Sequence, residues 1–341
     1  MKVLFIVSGN SAFYKIAPFI KSQGDSLQEE GVDLSYFLIL GKGWLNYYKN
    51  IAKLTEFLAE NPVDLLHAHY SLCGLVAILA AGKLPVVLSL MGSDTQRKFK
   101  GSLFTRLQGR MFYYITVLVQ FFVKAIIYKS PNLKKAVYRK KIAHLVPNGV
   151  NLEHFKISSH HYREELGLRQ DKRYVLFLGN PNDVNKNYVL IEKAVARLNR
   201  PDLVLLNRFD LPHEEVAKYL NAVDVVTLCS FSEGSPNVIK EAMSCGCPLV
   251  STNVGDVAWV ANGMPGNYIA SFEPEDFAAK LSQALEFAEK YGRTAGRQRI
   301  LDLELDTQSV AHRIINIYNR ILPPGKSNPI TTVKKMKQIG L

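Results

Sequence analysis

The chain has 341 residues, 48% of them hydrophobic, and a formal net charge of +12. That length suits two domains of ordinary size, and so apolar a composition, with few low-complexity stretches, excludes a disordered or fibrous protein. Four scattered cysteines, Cys73, Cys229, Cys245 and Cys247, have no metal-ligand spacing, because no second pair accompanies Cys245-Gly-Cys247. The opening MKVLFIVSGN reads as a first strand: its apolar run is too short for a signal peptide and no cleavage site follows. A cytoplasmic location is therefore expected. Apolar runs at Val3–Val7, Leu34–Leu38, Leu65–Ala68, Val86–Leu90 and Ala125–Tyr128 alternate with helical stretches such as Tyr14–Ser22 and Leu72–Ala80. A break rich in Asn, Ser and His follows at 148–162. The alternation restarts with Tyr174–Leu178, Leu203–Leu206, Asp224–Leu228 and Pro248–Ser251. This is the pattern of parallel sheets covered on both faces, and it predicts two doubly wound α/β domains, residues 1–155 and 156–322. Ligands of such sheets bind beyond the carboxyl ends of the strands, so the cleft between the domains is the expected site.

Charge is uneven. Residues 1–170 carry a net +11 and residues 171–341 a net +1, and the window 97–141 holds twelve basic residues and no acidic one. A mixed solvated surface does not look like this, so a polyanionic partner is expected on the first half. Inside the window, Met111–Val123 is an apolar stretch too short to span a hydrocarbon core, which takes about 20 residues. It is either a buried core helix or a helix leaning into a membrane surface, flanked by Arg106, Arg110 and Lys124. No nucleic-acid-binding motif accompanies the basic window, so a nucleic-acid partner is not expected.

The segment SFSEGSPNVIKEAMSCGCPLVST, residues 230–252, is the most informative. It follows a buried strand, and Ser235 as N-cap with Pro236 at the first helical position would start a helix that stops near Gly246. Glu233 lies in the loop before that start and faces the cleft. Glu241 lies roughly 9 Å farther along the axis, too far from the positive helix end to be there for the dipole.

The segment EGSPNVIKEAMSCGCPLVST resembles the glutamate–seven residues–glutamate motif of glycosyltransferase family 4, whose fold is GT-B. Four further stretches agree in order and spacing: DLLHAHY at 64–70, LSLMGSDTQ at 88–96, AHLVPNGVNLEHF at 143–155 and VLFLGNPNDVNKN at 175–187. The resemblance covers most of the chain. It implies two Rossmann-like domains facing across a cleft and transfer of a sugar from a nucleotide sugar, expected to be UDP-linked, with retention and without a metal or other cofactor. The motif variant resembles enzymes of bacterial surface-polysaccharide assembly, which implies an N-acetylhexosamine donor and a lipid-linked or polysaccharide acceptor at the inner membrane face, reached through the basic window.

By the same resemblance Glu241 holds the ribose hydroxyls, as a carboxylate can accept from both members of a vicinal diol. The backbone N–H groups of Ser235, Asn237 and Val238, beside Gly234, face the diphosphate at the helix start. Glu233 lies beside the sugar, and Lys186 offsets charge on the leaving diphosphate. Gly9 and Asn10 occupy the place of a loop that closes over the donor, or form a plain strand-to-helix turn.

Two positions depart from the family pattern. Asn180 stands where an arginine usually follows the strand's glycine, with Arg208 a candidate substitute in the donor site. Met91, before Gly92-Ser93-Asp94, stands where the family often has a histidine, which leaves His67 or His69 as the neighbouring candidates, His69 the preferred catalytic one, and Asp94 for acceptor binding or loop support. These departures keep open a nucleotide-sugar epimerase on the same architecture and a non-catalytic protein that retains it. The basic end after Pro323-Pro324, residues 323–341, is expected either to cross back to the first domain, as the last helix of GT-B enzymes often does, or to be a loose tail.

Overall fold

The structure, a computed structural model, describes residues 1–10, 14–41, 44–92, 103–209 and 211–326, with only the backbone of 44 and 103–108. The first half runs β1 (Lys2–Ser8), α1 (Pro18–Glu29), β2 (Asp33–Ile39), α2 (Trp44–Glu60), β3 (Leu65–His69), α3 (Ser71–Ala80), β4 (Val86–Leu90), α4 (Leu103–Gln120), β5 (Ala125–Tyr128) and β6 (Ala143–Leu145). The second runs α5 (Tyr162–Glu165), β7 (Arg173–Phe177), α6 (Tyr188–Leu198), β8 (Leu203–Asn207), α7 (Val216–Ala222), β9 (Val225–Leu228), α8 (Asn237–Ser244), β10 (Leu249–Thr252), α9 (Val257–Ala261), β11 (Asn267–Ala270), α10 (Pro274–Tyr291), α11 (Gly296–Asp302) and α12 (Thr307–Ile321).

Each half forms one sheet, in the orders β2-β1-β3-β4-β5-β6 and β11-β10-β9-β7-β8. The pairings are parallel, from Val3 opposite Leu65 in the first sheet to Val175 opposite Val225 in the second. Every expected apolar run is a strand. In β3 and β4 all residues are buried, as a strand covered by helices on both faces requires. Two strands were not foreseen: β6 and β11 are sheet edges of three and four residues, and neither is buried along its whole length. The first helix begins at Pro18, later than Tyr14, because proline's fixed φ and missing N–H suit a helix start.

Among the described residues the chain crosses between halves twice, at one place. Val150 N–H donates to Leu305 O at 2.9 Å and Thr307 N–H to Val150 O at 3.0 Å, so the outgoing and returning segments run side by side. A Cβ on Gly149 would lie 2.9 Å from Thr307 Cα, a contact only glycine permits. After the return, α12 packs Val310, Ile314, Ile315 and Tyr318 into the core that holds Val3, Phe5, Leu65 and Val87. The crossing back therefore occurs at 306–307, ahead of Pro323, and residues 307–322 complete the first unit instead of belonging to the second. The expected tail crossing at 327–341 lies outside the described residues.

The apolar stretch after Met111 divides its faces. Thr116, Val119, Gln120 and Val123 are buried, whereas Tyr114, Leu118, Phe121 and Phe122 are exposed. Arg139 donates to the carbonyls of Gln120, Phe121 and Val123 at 3.2–3.3 Å, closing the end of α4. No helix of the described residues is long and apolar enough to cross a membrane.

Candidate active site

The site is assembled at the carboxyl ends of both sheets, around the start of α8. That helix starts one residue later than expected: Pro236 is the N-cap, with φ −68° and ψ 119°, and Asn237 is the first helical residue. The Ser235 hydroxyl is engaged elsewhere. It donates to Asp256 Oδ2 at 2.7 Å and accepts from Lys240 Nζ at 2.8 Å and Asn148 N at 3.2 Å. Lys240 and Asp256 pair at 2.8 Å with side chains only 1% exposed. From the other half, the Asn148 amide donates to Ser235 O and Asn237 Oδ1 at 3.2 and 3.1 Å. The loop carrying Glu233 is thus pinned from beneath by an ion pair and from the side by the first domain.

Lys186 reaches this loop by a defined route. After β7 the chain makes a short 3-10 turn, Val184–Lys186, capped by Asp183, whose Oδ1 accepts from Asn185 N at 2.9 Å. Asn185 then bonds Ser232 O and Phe231 N, both at 2.9 Å, tying the turn to the loop after β9. These ties set Lys186 Nζ 2.7 Å from Glu233 Oε1. On the far side, Glu241, 5% exposed, bonds His213 Nε2 at 2.8 Å. The Glu241 hydrogen bond pushes the His213 pKa up, against the opposing effect of burial.

Lys186, Arg208, Glu233, Gly234, Ser235, Asn237, Val238 and Glu241 line one cavity of about 430 Å³, with Met91, Lys129 and Asn148 from the first domain facing them. The facing backbones touch: a Cβ on Gly234 would lie 2.1 Å from Met91 O, so nothing larger than glycine fits. Past His213 the cleft opens into a larger space of about 710 Å³ lined by Tyr14, His154, Phe155 and Phe209.

Two family models match the chain, Glycosyltransferase Family 4 over residues 19–154 and Glycosyl transferases group 1 over residues 190–286. The chain carries glycosyltransferase domains, of family 4 in its first half and of group 1 in its second. Among its relatives, a D-inositol 3-phosphate glycosyltransferase of Paenarthrobacter aurescens is 28% identical, over 44% of this chain and 46% of that one. The putative teichuronic acid biosynthesis glycosyltransferase TuaC of Bacillus subtilis is 26% identical, over 57% and 54%. The chain thus spans about half the length of these relatives. In architecture it resembles HepE of Anabaena, solved with UDP and glucose, at TM-score 0.70 and 16% identity over 94% of this chain and all of that one. The two facing sheets are the GT-B fold.

In this glycosyltransferase the remaining expected residues lie off the cavity. Asn180 shapes its own turn, its Oδ1 accepting from Asn182 N at 2.9 Å. Asn10 joins the loop after β1 to the one after β2 through Gly41, at 2.7 and 3.0 Å, while Gly9 N–H continues the ladder to Ile39 O. The same pattern describes a strand-to-helix turn. His69, 2% exposed, stacks on His67 with centroids 4.3 Å apart, and neither of its ring nitrogens has a hydrogen-bond partner among the described residues. Burial, then the electrostatic influence of His67 and Lys129, holds it well below the usual histidine pKa, so it is neutral. His67 bridges Tyr318 OH and Ser89 Oγ inside the core, a structural role. Asp94 lies outside the described residues.

Three cavity residues escaped the sequence reading. His213 and Glu241 belong to no common motif, Asn148 lay unremarked within AHLVPNGV, and Lys129 follows a buried strand, where a lysine is ordinarily assumed to reach solvent.

Proposed function

We propose that this chain is a retaining glycosyltransferase that moves a sugar from a UDP-sugar to an acceptor alcohol without a bound metal. The carrying observation is the gathering of Lys186, Glu233 and Glu241 around the start of α8 in one cavity. Ribose hydroxyls would donate to Glu241, with His213 orienting the carboxylate. The first-turn N–H groups of α8 have no intrahelical acceptors and would meet the diphosphate, with Lys186 beside it. Glu233 then faces the sugar. The bond from anomeric carbon to phosphate oxygen breaks, a bond to the acceptor oxygen forms on the same face, and the acceptor proton passes to the leaving phosphate. Lys186 stabilises the charge that grows there.

The acceptor in this reading is lipid-linked or a saccharide, takes an N-acetylhexosamine, and is held at the inner face of an anionic membrane. What supports this is the exposed set Tyr114, Leu118, Phe121, Phe122 and Tyr138 beside exposed Lys124, Lys134, Lys135, Lys140 and Lys141. Each such lysine near an anionic surface contributes about 1 kcal/mol. Arg139 and Lys129 are spent inside the protein and do not add to that surface.

Calorimetric binding of UDP, GDP and ADP in EDTA tests the donor. Tight binding of UDP alone is expected, and failure to bind any of the three overturns the proposal. Flotation with anionic vesicles should be strong at low salt and weaken as salt is added. Absence at low salt removes the membrane claim.

A further inference from the structure

Two lysines are buried among the described residues, Lys129 and Lys240, and their surroundings differ. Lys240 has its counter-ion in Asp256 at 2.8 Å. Lys129, directly after β5 and 1% exposed, bonds only a neutral oxygen, Gln23 Oε1 of α1, at 3.0 Å. Asp256, the carboxylate that acts on it, is already held by Lys240 and Ser235. The other charged or titratable groups around it are Lys240 on α8, which repels it, and the neutral rings of His67 and His69 on β3. Gln23 is 8% exposed and its Nε2 has no hydrogen-bond partner among the described residues. An ammonium group in the wall of the donor cavity, with a buried amide N–H directly behind it, therefore stands without an anion among the described residues. A buried charge without a partner is costly, and so is a buried donor left unmade.

We propose that Lys129 and Gln23 form a phosphate contact on the first domain, taking the donor diphosphate from the side opposite Lys186. The inference rests on the donor reading above. It supplies the second cation that Asn180 lacks, from the opposite domain, and so makes domain approach part of diphosphate binding. The pKa of Lys129 supports it: burial and the Lys240 charge pull it down to about 7, with Asp256 opposing, so the site gains its full charge when an anion arrives.

The test is calorimetry of UDP and uridine with the native protein, Lys129→Met and Gln23→Glu, each at pH 6.5 and 8.5. Lys129→Met should weaken UDP at least about tenfold at pH 6.5 and leave uridine unchanged. The native preference for UDP over uridine should fall towards pH 8.5 more than the variant's does. Gln23→Glu gives Lys129 an internal carboxylate, so it should fold stably, keep uridine and lose UDP affinity. A purely structural role predicts instead that uridine and UDP affinities move together. If both variants keep native UDP affinity, the contact is overturned while the donor reading stands. If they also raise the KM of a phosphate-bearing acceptor, the contact serves the acceptor's phosphate and its assignment to the donor diphosphate is overturned. If the native protein binds uridine and UDP not at all, both proposals fall.

Discussion

Substituting Glu241 by alanine separates nucleotide recognition from folding. In the free protein Glu241 is 5% exposed and its side chain is hydrogen-bonded to His213 at 2.8 Å. His213 is only part-buried, so it can turn to water when the carboxylate is gone. The expected stability cost is about 1 kcal/mol, that of one hydrogen bond to a residue with access to solvent. Ribose has no such alternative. Hydrogen bonds from its two hydroxyls to a buried carboxylate are of the charge-assisted kind, and losing them should cost about 2–3 kcal/mol, or roughly 30- to 150-fold in Kd. Titration calorimetry with UDP and 2′-deoxy-UDP reads this directly. The native protein should prefer UDP strongly, whereas Glu241→Ala should scarcely distinguish the two. A variant that binds UDP with native affinity, or still discriminates against the deoxy nucleotide, would show that ribose lies elsewhere.

Glu233→Ala removes the partner of Lys186 but not the cation, so UDP affinity should hold or tighten while turnover falls by about 100-fold or more, measured with saturating donor; full activity would overturn the role of Glu233. Asp256→Ala leaves Lys240 buried without its counter-ion, at a cost of about 3–5 kcal/mol and a melting drop of roughly 6–20 °C. The double variant with Lys240→Met should recover most of that loss in a thermal scan, and a double variant no better than the single would refute the pairing argument. Because Glu241 raises the His213 pKa, the pair's stability is fully present below the unfolded histidine value of about 6.5 and disappears as pH rises through the raised folded value. Denaturant melts of native protein and His213→Gln should therefore converge above that range, and parallel curves across it would contradict the linkage.

Much of the fold is legible in the sequence because its central strands are buried on both faces. Runs such as VVLSL in β4 have no polar side to confuse the reading. The edge strands β6 and β11 have one neighbour each and carry no such run. The site divides in the same way. Glu233, Glu241 and Lys186 stand out through motif spacing, but the contact between Lys186 and Glu233 depends on Asn185 bridging two loops far apart in sequence. Ser235 has the local chemistry of an N-cap, yet Asp256, Lys240 and Asn148 compete for its hydroxyl, and tertiary partners prevail over the local preference. The amphipathic pattern of α12 predicts a helix with one buried face. It carries nothing about which of two similar cores that face will meet.

The position of α12 also sets an order of events on the ribosome. The wall that covers Val3, Phe5 and Leu65 with Ile314 and Tyr318 is synthesised after the whole of the second sheet. At about 5–20 residues per second, the nascent first unit waits roughly 10–30 s with that apolar face open. The usual rule that amino-terminal domains finish first is reversed here. The second sheet closes on its own sequence, the first is sealed last, and a chain stopped short of Thr307 damages the half that was made earliest.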